Sequence, residues 1–168
     1  MEHLVNLILV LILAGILFHD LRSMTIPLYL LISVLVAAGI RSVLINQSRM
    51  AAGMAFINLS GTLLVLLISY IILFLLKKKI FNPFNRLIGT GDLLFLPALC
   101  ISFSPVNYLV FFIISLLLIL VFRLISGTSG RFIPLAGMQS VFLACALLIT
   151  EFFPFSSYND LPLLNLIL

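Results

Sequence analysis

Residues 93–122, LLFLPALCISFSPVNYLVFFIISLLLILVF, run for thirty positions without a charge, and the way they divide decides the fold. A single straight helix of that length would be about 45 Å long, against a bilayer core of about 30 Å. Ser104-Pro105 and Asn107 interrupt the run, and the residue before a proline resists helical geometry. The stretch therefore predicts two short helices, Leu93–Phe103 and Val106–Phe122, joined by a tight turn.

The rest of the chain has the same character. It is 64% hydrophobic and only 8% charged over 168 residues, where a soluble domain carries about 25% charge. So much apolar surface cannot be hidden in a globule, and lipid must be the solvent. Four more apolar runs, Leu4–Phe18, Ile26–Ile40, Ala55–Leu76 and Ile133–Phe153, bring the total to six. The expectation is an all-α integral membrane protein, one membrane-embedded domain over residues 1–168 with six transmembrane helices. Met1-Glu2-His3 lacks the basic start of a secretory signal, so the first run reads as a retained helix.

Charge sets the expected orientation. Connections after the first, third and fifth runs hold Arg22, Lys77, Lys78, Lys79, Arg86, Arg123 and Arg131; the connection after the second holds Arg41 and Arg49. Seven basic residues against two place the first set in the cytoplasm and both termini on the extracytoplasmic side. Treating Leu93–Phe122 as one span would reduce the imbalance to five against four. The net charge of +4 is thus a statement about topology, and no nucleic-acid partner is implied.

Five acidic residues exist in the chain, and two of them fall together on the cytoplasmic side of this plan. Asp92 follows Gly89-Thr90-Gly91 at the head of the fourth helix, and Asp20 ends the first. A carboxylate at membrane depth is costly and marks a functional site. The fourth helix is short, about 18 Å from Asp92 to Phe103, which would sink Asp92 about 10 Å below the membrane surface. Paired carboxylates can hydrolyse a peptide bond: one, ionised, takes a proton from water, while the other, protonated, polarises the scissile carbonyl. Gly89 and Gly91 would shape such a site by permitting unusual backbone angles and a close substrate approach. The alternative is structural, with Asp92 as a helix N-cap and Asp20 capping the second helix or pairing with Arg22.

Other chemistries lack their residues. His3 and His19 are the only histidines and no HExxH occurs, which leaves no zinc-protease motif, and no metal or cofactor is expected. Ser126-Gly127-Thr128-Ser129-Gly130 is not a GxSxG elbow and reads as a flexible turn. Cys100 and Cys145 lie in apolar runs without metal spacing and read as buried free thiols. Glu151 and Asp160 read as solvated on the outer side, and Lys77-Lys78-Lys79 as an anchor at anionic headgroups. Phe81-Asn82-Pro83-Phe84 reads as a cytoplasmic turn.

At its two aspartates the chain resembles the type IV prepilin peptidases, the bacterial branch of the GxGD aspartic proteases. Asp20-Leu21-Arg22-Ser23-Met24-Thr25-Ile26-Pro27 is similar to the family's Asp-x-Arg…Ile-Pro stretch after helix 1. Gly89-Thr90-Gly91-Asp92 resembles its GxGD signature, and Ile133-Pro134-Leu135-Ala136-Gly137 the start of its helix 6. The resemblance implies an aspartic endopeptidase of the bacterial cytoplasmic membrane, with Asp20 and Asp92 as the catalytic pair. It would remove the basic leader, usually ending in glycine, from prepilins or pilin-like subunits, and would be of the short, peptidase-only form that serves Tad-type and similar pili. Two positions depart from the pattern: Leu94 stands where the family often has lysine, and Leu28 where it often has asparagine. They motivate a second reading, a non-enzymatic pilus-assembly protein. A third, a small transporter using Asp92 as an ion site, meets six helices but no inverted repeat.

Overall fold

A computed structural model describes residues 2–23, 25–46, 48–77, 90–126, 135–152 and Tyr158. Within them the chain is all-helical, with α1 (Glu2–Ser23), α2 (Leu28–Ile45), α3 (Ser48–Lys77), α4 (Thr90–Ser102), α5 (Pro105–Ser126) and α6 (Leu135–Phe152). Lys78, Lys79, the Phe81–Phe84 turn, Gly89, residues 127–130, Ile133-Pro134 and Asp160 lie outside the described residues. Four helices are long and apolar enough to cross a membrane, His3–Ser23, Leu28–Ile45, Arg49–Ile72 and Pro105–Phe122, and Gly91–Ser102 and Leu135–Glu151 are shorter apolar helices. The chain is an integral membrane protein.

The uncharged run divides where expected. Phe103 and Ser104 leave the helix and α5 starts at Pro105. Proline suits a first helical position because its missing N–H would have had no partner there. The Tyr108 amide donates to the Ser104 carbonyl (2.8 Å), closing the first turn of α5. Most helices outrun the expected spans. Asp20, Arg22, Arg41 and Arg123, all outside the expected spans, lie within helices. A helix ends where its backbone bonding ends, and a charge can stay inside it when the side chain finds a partner.

Helices α1 and α6 run antiparallel in close contact, α2 packs on α1, and α4 is wedged between α2 and α3; α5 is peripheral, resting lightly on α3, α4 and α6. The core joins Leu9, Leu13 and Ile16 of α1, Val34 and Ala38 of α2, Phe95 and Leu99 of α4, and Leu143 and Leu147 of α6. The outer surface is apolar as well, including Leu11, Phe56, Leu67, Leu117 and Ile125, as lipid requires.

The far end of α4 shows how a short helix survives among apolar neighbours. Its last carbonyls have no partners within the helix, and a buried carbonyl needs a partner. Three distant side chains supply them. Asn58 of α3 donates through Nδ2 to the carbonyls of Cys100 (2.8 Å) and Phe103 (2.9 Å). The Tyr158 hydroxyl donates to the Ile101 carbonyl (3.0 Å), and Arg41 Nη1 reaches the Ser102 carbonyl (3.4 Å). Arg41 also donates through Nε to Asn6 Oδ1 (2.6 Å) and lies against the Tyr158 ring. Asn6 and His3 in turn bond Glu151.

Three expectations are corrected here. Arg41 is a buried helix residue, not a loop residue. Glu151 is partly buried and tied to α1 rather than solvated. Cys145 is a free thiol but faces outward, whereas Cys100 is free and buried.

Candidate active site

Asp20 and Asp92 meet at one point, the first turn of α6. The Gly137 amide donates to Asp20 Oδ2 (2.7 Å) and the Ala136 amide donates to Asp92 Oδ1 (2.8 Å). These nitrogens are consecutive in the chain, so the two carboxylates, 72 positions apart in sequence, are held side by side. The first amides of a helix lack partners within it, and the positive end of its dipole favours anions. Two carboxylates crowding together would repel; the shared helix end offsets that repulsion by giving each a donor.

Each side chain arrives on a different element. Asp20 lies in the last turn of α1 and is buried. Since α1 and α6 are antiparallel, the same pairing that sets Asn6 against Glu151 at one end sets Asp20 against Gly137 at the other. Asp92 lies in the first turn of α4, whose other end is fixed by Asn58, Arg41 and Tyr158. Asp20 does not cap α2, which is preceded by Pro27 with no side-chain cap. Arg22 lies instead over the Phe18 ring.

Gly91 works differently from the expectation. Gly91 is helical, within α4. A Cβ there would stand 3.3 Å from Ile26 Cδ1 and 3.6 Å from its Cβ and Cγ1. Its bareness admits the Ile26 side chain, and no unusual backbone angle is involved. Gly137 is the more constrained. A Cβ on it would stand 2.7 Å from Asp20 Oδ2, 3.0 Å from its Cβ and 3.2 Å from its Cγ. Asp20 occupies the space that any other residue at position 137 would fill.

The two departures from the family pattern fall away from this point. Leu94 is 49% exposed and Leu28 61% exposed. Residues two apart on a helix do not share a face, so a cation at position 94 would project from the side of α4 opposite Asp92.

Sequence reasoning singled out the two aspartates and missed what receives them. Gly137 was visible only as part of a helix start, and nothing in the sequence marks it as the seat of Asp20. Gln139, one turn further into α6, was not noticed; the signal available was an amide side chain in a run with few other polar groups.

Chemically, two carboxylates side by side at a helix end can share a proton, accept another from water and donate to a carbonyl. Residues 7–124, about two thirds of the chain, match the model of the type IV leader peptidase family. No curated protein and no solved structure matches the chain.

Proposed function

The chain belongs to the type IV leader peptidase family, and we propose that it is an aspartic endopeptidase that removes the basic leader of prepilins or pilin-like proteins at the cytoplasmic face of a bacterial plasma membrane. The observation that carries this reading is the binding of Asp20 and Asp92 to consecutive amides of α6. It brings together the two carboxylates that the resemblance assigns to the reaction.

The reaction follows from the pair. The ionised carboxylate takes a proton from water as the oxygen attacks the scissile carbonyl. The protonated one donates to the carbonyl oxygen as the tetrahedral intermediate forms. When that collapses, a proton passes to the departing nitrogen, which becomes the amino terminus of the mature subunit. In this reading the α6 amides orient both carboxylates, and orientation of reacting groups lowers the barrier. Gly137 keeps Asp20 there, and Gly91 lets α4 lie close to Ile26. Gly89, beside Gly91 in the sequence, belongs to the same proposal on the resemblance alone.

The pilus-assembly alternative rests on Leu94 and Leu28. Both side chains face outward, so neither removes a group from the carboxylate pair. The test is co-expression of a pilin-like substrate with wild type, Asp20→Asn and Asp92→Asn. Wild type is expected to trim the leader, and each substitution to slow trimming by at least about a hundredfold, the scale of a lost general acid or base. Leader removal that survives both substitutions rejects the reading.

A further inference from the structure

Gln139 is fully buried, and neither its carboxamide nitrogen nor its carboxamide oxygen has a hydrogen-bond partner among the described residues. Leaving a buried donor and acceptor both unmet is destabilising, and an amide in a membrane interior ordinarily finds a partner on a neighbouring helix. Other buried polar side chains show the contrast: Ser140 donates to the Gly137 carbonyl, Asn58 to two carbonyls, and Thr62 bonds the Tyr108 hydroxyl. Ser42 Oγ and Asn46 Nδ2 are unmet as well, but Gln139 is the one side chain among the described residues with two such atoms.

That position is placed for substrate. Gln139 is three residues beyond Ala136, about 4.5 Å deeper along α6 than the amides that hold the carboxylates. It is two residues beyond Gly137, about 200° around the helix. Position 137 faces α1, where Asp20 fills the space of its missing Cβ, so Gln139 lies on the flank turned from α1. On that flank α6 meets α4 and α5, and it packs on both far more lightly than on α1. Parting this seam would uncover the carboxamide and the carboxylates together.

We infer that Gln139 is a substrate-positioning residue, whose carboxamide pairs with a backbone peptide unit of the substrate just beyond the scissile bond. The inference rests on the peptidase reading and specifies how its substrate is held. Attack on a carbonyl requires the chain to be unwound there, which exposes peptide N–H and C=O groups that lipid cannot satisfy. A carboxamide offers both a donor group and an acceptor to match them. An extended chain advances about 3.3 Å per residue. An offset of about 4.5 Å therefore selects the first or second peptide unit past the cleaved bond, on the side of the substrate's hydrophobic helix.

The experiment uses the full-length protein in proteoliposomes and a synthetic substrate with a basic leader ending in glycine, joined to an apolar helix. Single peptide units after the scissile bond are replaced in turn by esters, which removes one N–H at a time. In wild type, kcat/KM is expected to fall about tenfold for an ester at the first or second unit and less than about twofold further on. Gln139→Leu and Gln139→Met are expected to lose about tenfold on the all-amide substrate, with no further loss at the sensitive ester. Both are expected to melt no lower than wild type, because they remove two unmet polar groups. Unchanged kcat/KM in the variants overturns the inference. So does an ester penalty that persists undiminished in them, which would link Gln139 to the carboxylates rather than the substrate. Melting well below wild type in both variants would make the carboxamide a structural group and also overturn it. Failure of wild type to cleave the all-amide substrate instead rejects the peptidase reading, and the inference with it.

Discussion

Gly137 is the residue at which the pair is most easily disturbed. Adding one methyl there puts carbon 2.7 Å from Asp20 Oδ2 and 3.0 Å from its Cβ, and the Asp20 backbone is fixed within α1. The carboxylate must turn off its amide or α6 must slide. A shift of about 1 Å in a reacting group can lower a rate by about a hundredfold. Gly137→Ala is therefore expected to lose about that much leader cleavage while retaining wild-type helix content by circular dichroism. Gly91→Ala makes the contrasting case, since its added carbon meets the tip of a flexible side chain, Ile26 Cδ1 at 3.3 Å. A loss of a few fold is expected, and Ile26→Val, which removes that tip, should restore the rate in the double variant. The two aspartates were legible because charge is rare in so apolar a chain. Their partners were not, because main-chain amides are the same at every residue and leave no mark in a sequence.

At the scale of the element, α4 is the unusual helix. It has 13 residues, contains Pro97, and must end among apolar neighbours. Its existence was legible from the Ser104-Pro105 break, since backbone restriction at proline is local and needs no tertiary information. The means of ending it was not legible, because Asn58, Arg41 and Tyr158 come from three other parts of the chain. Asn58 alone serves two carbonyls. Asn58→Leu keeps the approximate volume and strands both, at about 1–3 kcal/mol for each unmet group. It should lower the thermal unfolding midpoint in detergent by several degrees. It should also reduce cleavage, since Asp92 sits on the same short helix; a variant with unchanged midpoint would remove Asn58 from the account of how α4 is held.

At the scale of the molecule, the bundle gathers unlike chemistry at its two ends. One end carries the carboxylate pair and the last turn of α1, which bears Arg22. The other carries the His3, Asn6, Arg41 and Glu151 cluster and, in the first turn of α3, Arg49. Arg41 is engaged in that cluster, and among the described residues at that end Arg49 is the basic side chain outside it. The charge asymmetry read from the sequence predicts that the carboxylate end faces the cytoplasm. This is also the side on which a basic leader would wait before export. In a background with Cys100 and Cys145 replaced by serine or alanine, a single cysteine at position 47, between α2 and α3, should react with a membrane-impermeant maleimide added outside intact spheroplasts. A cysteine at position 25, between α1 and α2, should react only after the membrane is opened. The reverse pattern would turn the carboxylates away from any cytoplasmic leader, and the proposed substrate would fail on topology even with the pair intact.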